Sequence, residues 1–488
     1  MTYLLFFIIY SILIIVFGKY AFDKIEDSKS FYIANGTLGL FIGVCTFVAT
    51  WFSATSVIAL SGSIFVYGVS SMTYSLLGWF VGAFLLISLV PILRRYQIRT
   101  IPEFFRIHYY SKDLQATCAA VIIITHILYV VIQIRGFGVV VSGMLDIPYT
   151  MSIFLVYLFI LYTTFGGLYS VARTDALNFF LILIGILMAV YLIIDRFGSL
   201  GEIFRQAYYI NTTALPHLDY KNTEGSLLNP FIHGNYPFFF MLSAFIGWAL
   251  GKASNPQYAI RIVAAKDNKT ARNMILVSIL IFLILYAGLF IISIGGRVLL
   301  PVVPVDSIDD VFPYIIQSVF GSKPGGFVMI SVLAAVISTA NSQLLLIGSS
   351  FSYDIYKNII NPQVKEEKLL SINRWAILIG GTVALFFSFT PPGAMLLYGS
   401  YVWGVIASVF FVPLYGAVLW PKGNRFGAQV GVYGGLLTCI ILYGLNLLLF
   451  SGKDLIHSAI PGVLVATTLY IFFSLIKKQG EKYENEGF

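Results

Sequence analysis

Charge is what this chain has least of. Only 11% of its 488 residues are Asp, Glu, Lys or Arg, against about 25% in ordinary soluble domains. Hydrophobic residues make up 58%, and the mean hydropathy is +0.88. A soluble core of this length has nowhere to hide that excess, because a folded protein still needs polar surface facing water. The chain therefore reads as a polytopic membrane protein, which sets aside soluble enzymes, secreted disulfide scaffolds and disordered hubs. Cysteine is nearly missing as well. Cys45, Cys118 and Cys439 lie inside apolar runs without metal-ligand spacing and read as packing residues. The chain has no His/Asp/Glu cluster at membrane depth and no nucleophile–base pattern, so a membrane enzyme is not expected. Nor does it have a Lys-rich stretch interleaved with aromatics, so the net charge of +8 does not point to nucleic acid. Residues 1–20 lack the basic start and small-residue cleavage site of a secretory signal and read as the first spanning helix.

What the chain does have is apolar length. Stretches of about 20 mostly apolar residues can span a bilayer. Such stretches fall at 3–20, 38–66, 71–93, 115–143, 148–165, 176–194, 234–264, 272–295, 326–350, 372–390, 394–419, 427–450 and 459–476, thirteen in all. The odd number places the two ends on opposite sides. Of the 30 Lys and Arg residues, with those near the ends of spans counted with the adjoining loop, 22 fall on one side and 6 on the other. Cytoplasmic loops collect basic residues, so the expected topology is N-terminus outside and C-terminus cytoplasmic, in a plasma membrane of bacterial inner-membrane type. The remaining two, Arg135 and Lys252, fall inside predicted spans. Residues 195–233 are long enough to form a cap or short helix, and the charged stretch 354–374 reads as a solvated linker. No soluble domain is expected, so residues 1–488 read as a single membrane domain.

Two spans carry interruptions. Residues 43–68, GVCTFVATWFSATSVIALSGSIFVYG, crowd small and hydroxyl side chains at mid-depth, from Thr46 through Ala49, Thr50, Ser53 and Ala54 to Ser56. In the seventh span Gly251, Ser254, Asn255 and Pro256 occupy the corresponding depth. Proline removes a backbone donor and clashes with the preceding turn. Non-helical backbone survives in a membrane only where it is buried or lines a cavity. A single break would suggest a kink or small-residue packing, whereas two breaks five spans apart point to an inverted-repeat transporter whose unwound carbonyls hold a cation. The ninth span adds Ser338, Thr339, Asn341 and Ser342 one turn after Ala334 and Ala335. Hydroxyl and carbonyl oxygens without a dedicated carboxylate suit a monovalent cation better than Mg²⁺ or Ca²⁺.

The stretches GGLYSVARTD (166–175), AAVISTANS (334–342) and ATWFSATSVIALSGSIF (49–65) come in the order and spacing of one family, with RTIPEFFRIHYYSKDL (99–114) and RIVAAKD (261–267) in agreement. From about residue 1 to 420 the chain resembles the sodium/solute symporters, carriers of proline, pantothenate, sugars, sialic acid and monocarboxylates. The resemblance implies an all-α, LeuT-like core of two inverted five-helix repeats, at 38–194 and 234–419. A peripheral helix at 3–20, two C-terminal helices within 427–476 and a cytoplasmic tail at 477–488 complete it. It also implies Na⁺ as coupling ion, held by the carbonyls of Ala49, Phe52 and Ala335 and the hydroxyls of Ser338 and Thr339. In some members an Asp, here Asp175, holds a second sodium with hydroxyl residues where this chain has Asn341 and Ser342. The amide departs from the all-serine version, as does Asn178 from the usual Gln. Asp175 also has an alternative reading as an interfacial helix N-cap.

Among substrate-facing candidates, an intramembrane Arg is a functional hypothesis by default and needs a partner. Arg135 would pair with a carboxylate or snorkel to the outer interface. Tyr129 matches a family position lining the cavity, and Gln133 shares its helix face. Lys252 would balance a substrate anion or meet a helix carbonyl end. Trp51, Thr55, Asn255 and Gln257 complete the lining. Members that bind sugars tend to carry more acidic and amide residues here, so the two cations tilt the reading towards a small organic anion or zwitterion, such as a monocarboxylate, pantothenate or amino acid. His126 would either shuttle protons or bond to neighbouring helices. The expected function is sodium-coupled import of a small organic solute by alternating access. It needs no organic cofactor or obligate protein partner, only solute, sodium and bilayer. The alternatives are proton coupling through Asp175 or His126, and a solute sensor, for which about a dozen residues after the last span leave no signalling domain.

Overall fold

The computed structural model describes residues 2–22, 27–164, 166–390, 394–449 and 457–476. Among them every regular element is helical, with two isolated β-bridges, Leu38 to Ala265 and Thr213 to Lys221. The helices used below are α1 (Thr2–Phe22), α2 (Leu40–Trp51), α3 (Thr55–Tyr67), α4 (Val69–Arg95), α5 (Ile101–Tyr109), α6 (Lys112–Leu145), α7 (Tyr149–Thr164), α8 (Gly167–Phe197), α9 (Leu200–Tyr208), α10 (Phe238–Ser254), α11 (Pro256–Ala264), α12 (Asn268–Leu299), α13 (Val311–Val319), α14 (Ser322–Ile360), α15 (Glu366–Ser388), α16 (Met395–Leu419), α17 (Arg425–Leu449) and α18 (Ala459–Ile476). Among the described residues nine helices are long and apolar enough to cross a membrane, or ten with α2 and α3 counted as one bent span. The other three predicted spans coincide with the shorter apolar α1 and α7 and with the interrupted pair α10/α11. The tail at 477–488 lies outside the described residues.

The helices pack in two sets. One comprises α2/α3, α4, α10/α11 and α12, and the other α6, α7, α14 and α15. Helices α8 and α16 touch both sets, and α17 pairs with α18. The most apolar part of α14 is buried along its whole length, which explains why its polar residues face protein rather than lipid.

Both interruptions are real breaks in the helical backbone. Phe52 (φ −81°, ψ 111°) and Asn255 (φ −70°, ψ 126°) are extended where their helices stop, and α2 meets α3 at 61°. Asn255 restarts the helix by accepting a hydrogen bond from the Gln257 N–H at 2.7 Å, with Pro256 in the first turn, where its missing N–H costs nothing.

Three sequence readings change. The stretch 354–374 is not a solvated linker. Its first residues extend α14, and Asp354 is fully buried, accepting from Thr100 Oγ1 at 2.6 Å and Gln115 Nε2 at 2.8 Å. The charge run hid this because the carboxylate meets residues some 240 to 250 positions earlier. Asp175 is not a helix cap. Gly166 is the N-cap of α8, and Asp175 sits more than two turns inside, fully buried. Arg135 has a carboxylate partner within the protein: its guanidinium ends 3.2 Å from the Asp309 carboxylate in the connection between α12 and α14. The stretch 195–233, expected to form a cap or short helix, contains the short helix α9.

Candidate functional site

The site forms where the break in α2/α3 faces α14. Because Phe52 leaves the helix, the carbonyls of the last turn of α2 lose their intrahelical partners and turn towards α14. Two adjacent hydroxyls meet them. Ser338 Oγ donates to Ala49 O at 2.7 Å and lies 3.0 Å from Ala335 O. Thr339 Oγ1 donates to Phe52 O at 3.1 Å and Thr50 O at 3.2 Å. The five oxygens named for sodium are thus drawn together from the two helix sets. All five residues are buried. No group of three or more His, Cys, Asp or Glu placed to hold a metal occurs among the described residues. The donor set here is neutral, as a monovalent cation prefers.

One helical turn further along α14 the arrangement differs. Asp175 accepts from Thr46 Oγ1 at 2.6 Å, and its carboxylate lies 3.8 Å from the Arg261 guanidinium. The same guanidinium donates to Ser342 Oγ at 2.6 Å. Asn341 accepts from Thr164 Oγ1 at 3.1 Å. A side-chain cation thus sits between two of the residues read as a second sodium site. Arg261 was visible in the sequence only as part of a matching motif, since nothing local shows that it folds back onto Asp175.

The second break is tied to the first through amides. Gln257 Nε2 donates to Thr50 O at 2.8 Å, and its Oε1 accepts from Gln343. Gln133 Oε1 accepts from the Ala54 N–H at 3.0 Å, covering the start of α3. Tyr129 OH donates to Thr55 Oγ1 at 3.2 Å and lies 3.3 Å from Ser53 Oγ. Of the substrate-facing candidates, Trp51, Thr55, Tyr129, Gln133 and Lys252 therefore gather round the breaks. Asn255 and Gln257 hold the backbone there. Arg135 stands apart with Asp309.

Lys252 occupies the centre. It is 1% exposed. Its ammonium donates to Tyr258 OH at 2.7 Å and lies 4.3 Å from the ring centre of Trp51, 5.0 Å from Tyr258 and 5.2 Å from Trp79 and Trp403. These rings come from four helices, with Trp248 against Trp79 at 5.2 Å. Gly251 makes the approach possible: a Cβ there would lie 2.5 Å from the Trp403 carbonyl oxygen. Sequence reasoning missed Trp79, Trp248, Tyr258 and Trp403, which look like ordinary apolar residues along their own helices.

Towards one end of the bundle, Arg135 Nη2 also donates to Ser307 Oγ at 3.2 Å, while Asp309 Oδ2 accepts from the Met395 N–H at 3.0 Å. This joins α6, the α12–α14 connection and the start of α16. Burial raises the Asp309 carboxyl to about 6, against the lowering influence of Arg135.

A helical membrane protein with two interrupted helices facing a polar stretch of a buried helix has the build of a cation-coupled transporter. The model of the sodium:solute symporter family matches residues 31–435, and the chain belongs to that family. It is 25% identical to an osmoregulated proline transporter of Bacillus subtilis, covering 97% of this chain and 94% of that one. Identity to a sodium/pantothenate symporter of Haemophilus influenzae is 24%, over 92% of each. A sodium/proline symporter of Staphylococcus aureus is also 24% identical, over 98% of this chain and 93% of the relative. Among solved structures, a sodium-coupled sialic acid symporter in a substrate-bound outward-open state superimposes with a TM-score of 0.78 at 14% identity, over 98% of both chains. A transporter of the nucleobase-cation-symport-1 family follows at 0.59 and 12% identity, over 92% of this chain and 95% of that one. These relatives are transporters, not enzymes, and the family supports sodium as coupling ion.

Proposed function

We propose that the protein imports a small organic solute bearing a carboxylate, a simple organic acid or an amino acid, together with sodium by alternating access. Sodium binds among Ala49 O, Phe52 O, Ala335 O, Ser338 Oγ and Thr339 Oγ1, replacing the hydroxyl–carbonyl hydrogen bonds now linking α2 to α14. The single observation carrying this reading is the convergence of those five neutral oxygens from two helix sets. An ion there ties the sets together, and Trp51, next to Phe52 in the chain, passes the effect to the solute at the two breaks. Thr55, Tyr129, Gln133 and Lys252 line that solute site, while Asn255 and Gln257 hold its backbone. The two helix sets, each drawing helices from both of the inverted repeats at 38–194 and 234–419, rock against each other, with the N-terminus outside and the C-terminus cytoplasmic.

One sodium per cycle is favoured, because Arg261 already supplies positive charge between Asp175 and Ser342. By linkage, sodium must tighten solute binding by the factor by which solute tightens sodium binding. Uptake into proteoliposomes, driven by a sodium gradient and absent with potassium, tests this. Solute affinity independent of sodium refutes it, and uptake following a pH gradient without sodium replaces it with proton coupling.

A further inference from the structure

With the space around the two breaks taken as the solute site, as proposed above, we infer that Lys252 is the docking point of the substrate's carboxylate. The substrate is then a small monocarboxylate with an apolar body and no ammonium group of its own. The resemblance to amino-acid and sugar carriers leaves this open; the polar groups around Lys252 decide it.

The ammonium is 1% exposed and makes no ion pair among the described residues. The buried carboxylates nearest in role are taken, Asp175 by Arg261 and Thr46, and Asp309 by Arg135 and the Met395 N–H. Of its three N–H donors, one meets Tyr258 OH. Aromatic faces at 4.3 to 5.2 Å offset part of the cost of burying the charge, but a buried cation is fully compensated only by an anion with hydrogen bonds of its own.

The orphan groups on the tryptophan rings beside Lys252 are donors. The indole N–H groups of Trp79 and Trp248 and the amide N–H of Gln133 are buried and meet no acceptor among the described residues. Trp79 stands 5.2 Å from the Lys252 ammonium and 5.2 Å from Trp248. A positive charge among unmet donors suits a ligand that only accepts, and an ionised carboxylate is such a ligand. A zwitterionic amino acid would bring three more donors and a second positive charge beside an ammonium that has no carboxylate partner among the described residues. A sugar would leave Lys252 uncompensated. The rings of Tyr258 and Phe282, 4.3 and 5.0 Å from that of Trp51, offer with it apolar walls for the remainder of the molecule.

The test uses the full-length protein in lipid nanodiscs, in sodium chloride and in potassium chloride. Binding is read by calorimetry and thermal midpoint for three matched series, each a carboxylate, its α-amino acid and its amide: propionate, alanine, propionamide; butyrate, 2-aminobutyrate, butyramide; and phenylacetate, phenylglycine, phenylacetamide. Proline and glucose are added. The expected result is that one or more carboxylates bind in sodium at least about 30-fold tighter than the amino acid or amide of the same skeleton, as loss of a buried charge partner implies. Lys252→Met should lose that preference while sodium alone still raises the thermal midpoint. Lys252→Arg, which keeps the charge, serves as the second variant if the first does not fold, and should retain the carboxylate preference.

The inference is overturned if proline, another amino acid or glucose binds as tightly as the carboxylates, if no carboxylate binds, or if Lys252→Met leaves carboxylate affinity unchanged. Failure of the symport reading looks different: carboxylates would bind equally in sodium and potassium, with the Lys252 dependence intact.

Discussion

Removing the Ser338 hydroxyl is the sharpest perturbation of the sodium site. In Ser338→Ala the backbone is untouched, but Ala49 O loses its donor at 2.7 Å and the ion would lose one of five oxygens. A hydrogen bond to a charged group contributes about 1.5–3 kcal/mol, a fair stand-in for one neutral oxygen on a monovalent cation. At about 1.4 kcal/mol per tenfold, the half-saturating sodium concentration should rise about 10- to 150-fold. Thr339→Ala, which frees Phe52 O and leaves Thr50 O with Gln257 alone, should act similarly. Ser349→Ala is the control. Among the described residues that hydroxyl bonds only within its own helix, to Leu346 O at 3.1 Å, and its loss should change sodium activation less than about twofold. The assay is solute uptake into proteoliposomes over a sodium titration, paired with sodium-induced thermal stabilisation of the purified protein. Equal shifts at all three positions, or a large one at Ser349 alone, would refute the placement of the ion.

Sodium activation should follow a Hill coefficient near one; a value near two would mean that Asp175 and Ser342 take an ion despite Arg261. Arg135→Gln strands the buried Asp309 carboxylate and should cost about 3–5 kcal/mol in stability, much of it recovered by adding Asp309→Asn, as a double-mutant cycle in chemical denaturation would show. Additive losses would deny the ion pair. Because burial raises the Asp309 carboxyl to about 6, the folded state holds its proton more tightly than the unfolded chain. That contribution to stability is therefore present at low pH and lost as the pH rises through about 6, and the step in thermal midpoint should vanish in Asp309→Asn. Gly251→Ala would set a Cβ 2.5 Å from the Trp403 carbonyl oxygen and should cost about 1–3 kcal/mol, together with solute binding. A variant with unchanged melting would mean that α10 and α16 are free to part there.

Coupling follows from where the two ligands sit. Sodium is proposed at the carbonyls around Phe52, and the solute against Trp51, the residue before it. Residues 51 and 52 belong to the helix set that includes α10/α11, whereas Ser338 and Thr339 belong to the other. An ion at this seam therefore favours one relative position of the sets and orders the wall of the solute chamber together with it. That satisfies the requirement for differential affinity between two states.

Some of this was legible along the chain because its cause is local. The membrane class follows from the scarcity of charge, since a charged side chain at bilayer depth is costly. The breaks follow from Pro256 and from the run of small and hydroxyl residues at 46–56. The adjacent hydroxyls at 338 and 339 are readable because they share one helix. What tertiary structure decided is which groups meet. Arg135 finds Asp309, Asp175 finds Arg261, and Asp354 finds Thr100 and Gln115, all across separations that no periodicity encodes. The aromatic cluster around Lys252 is of the same kind. Its four rings lie on four helices, each inconspicuous in its own span, and only the packing of those helices turns them into walls about one buried ammonium. Local sequence sets where a membrane helix must break, because backbone hydrogen bonding is local. Partners for buried charge are set by the fold, because electrostatic attraction depends on distance in space and not along the chain.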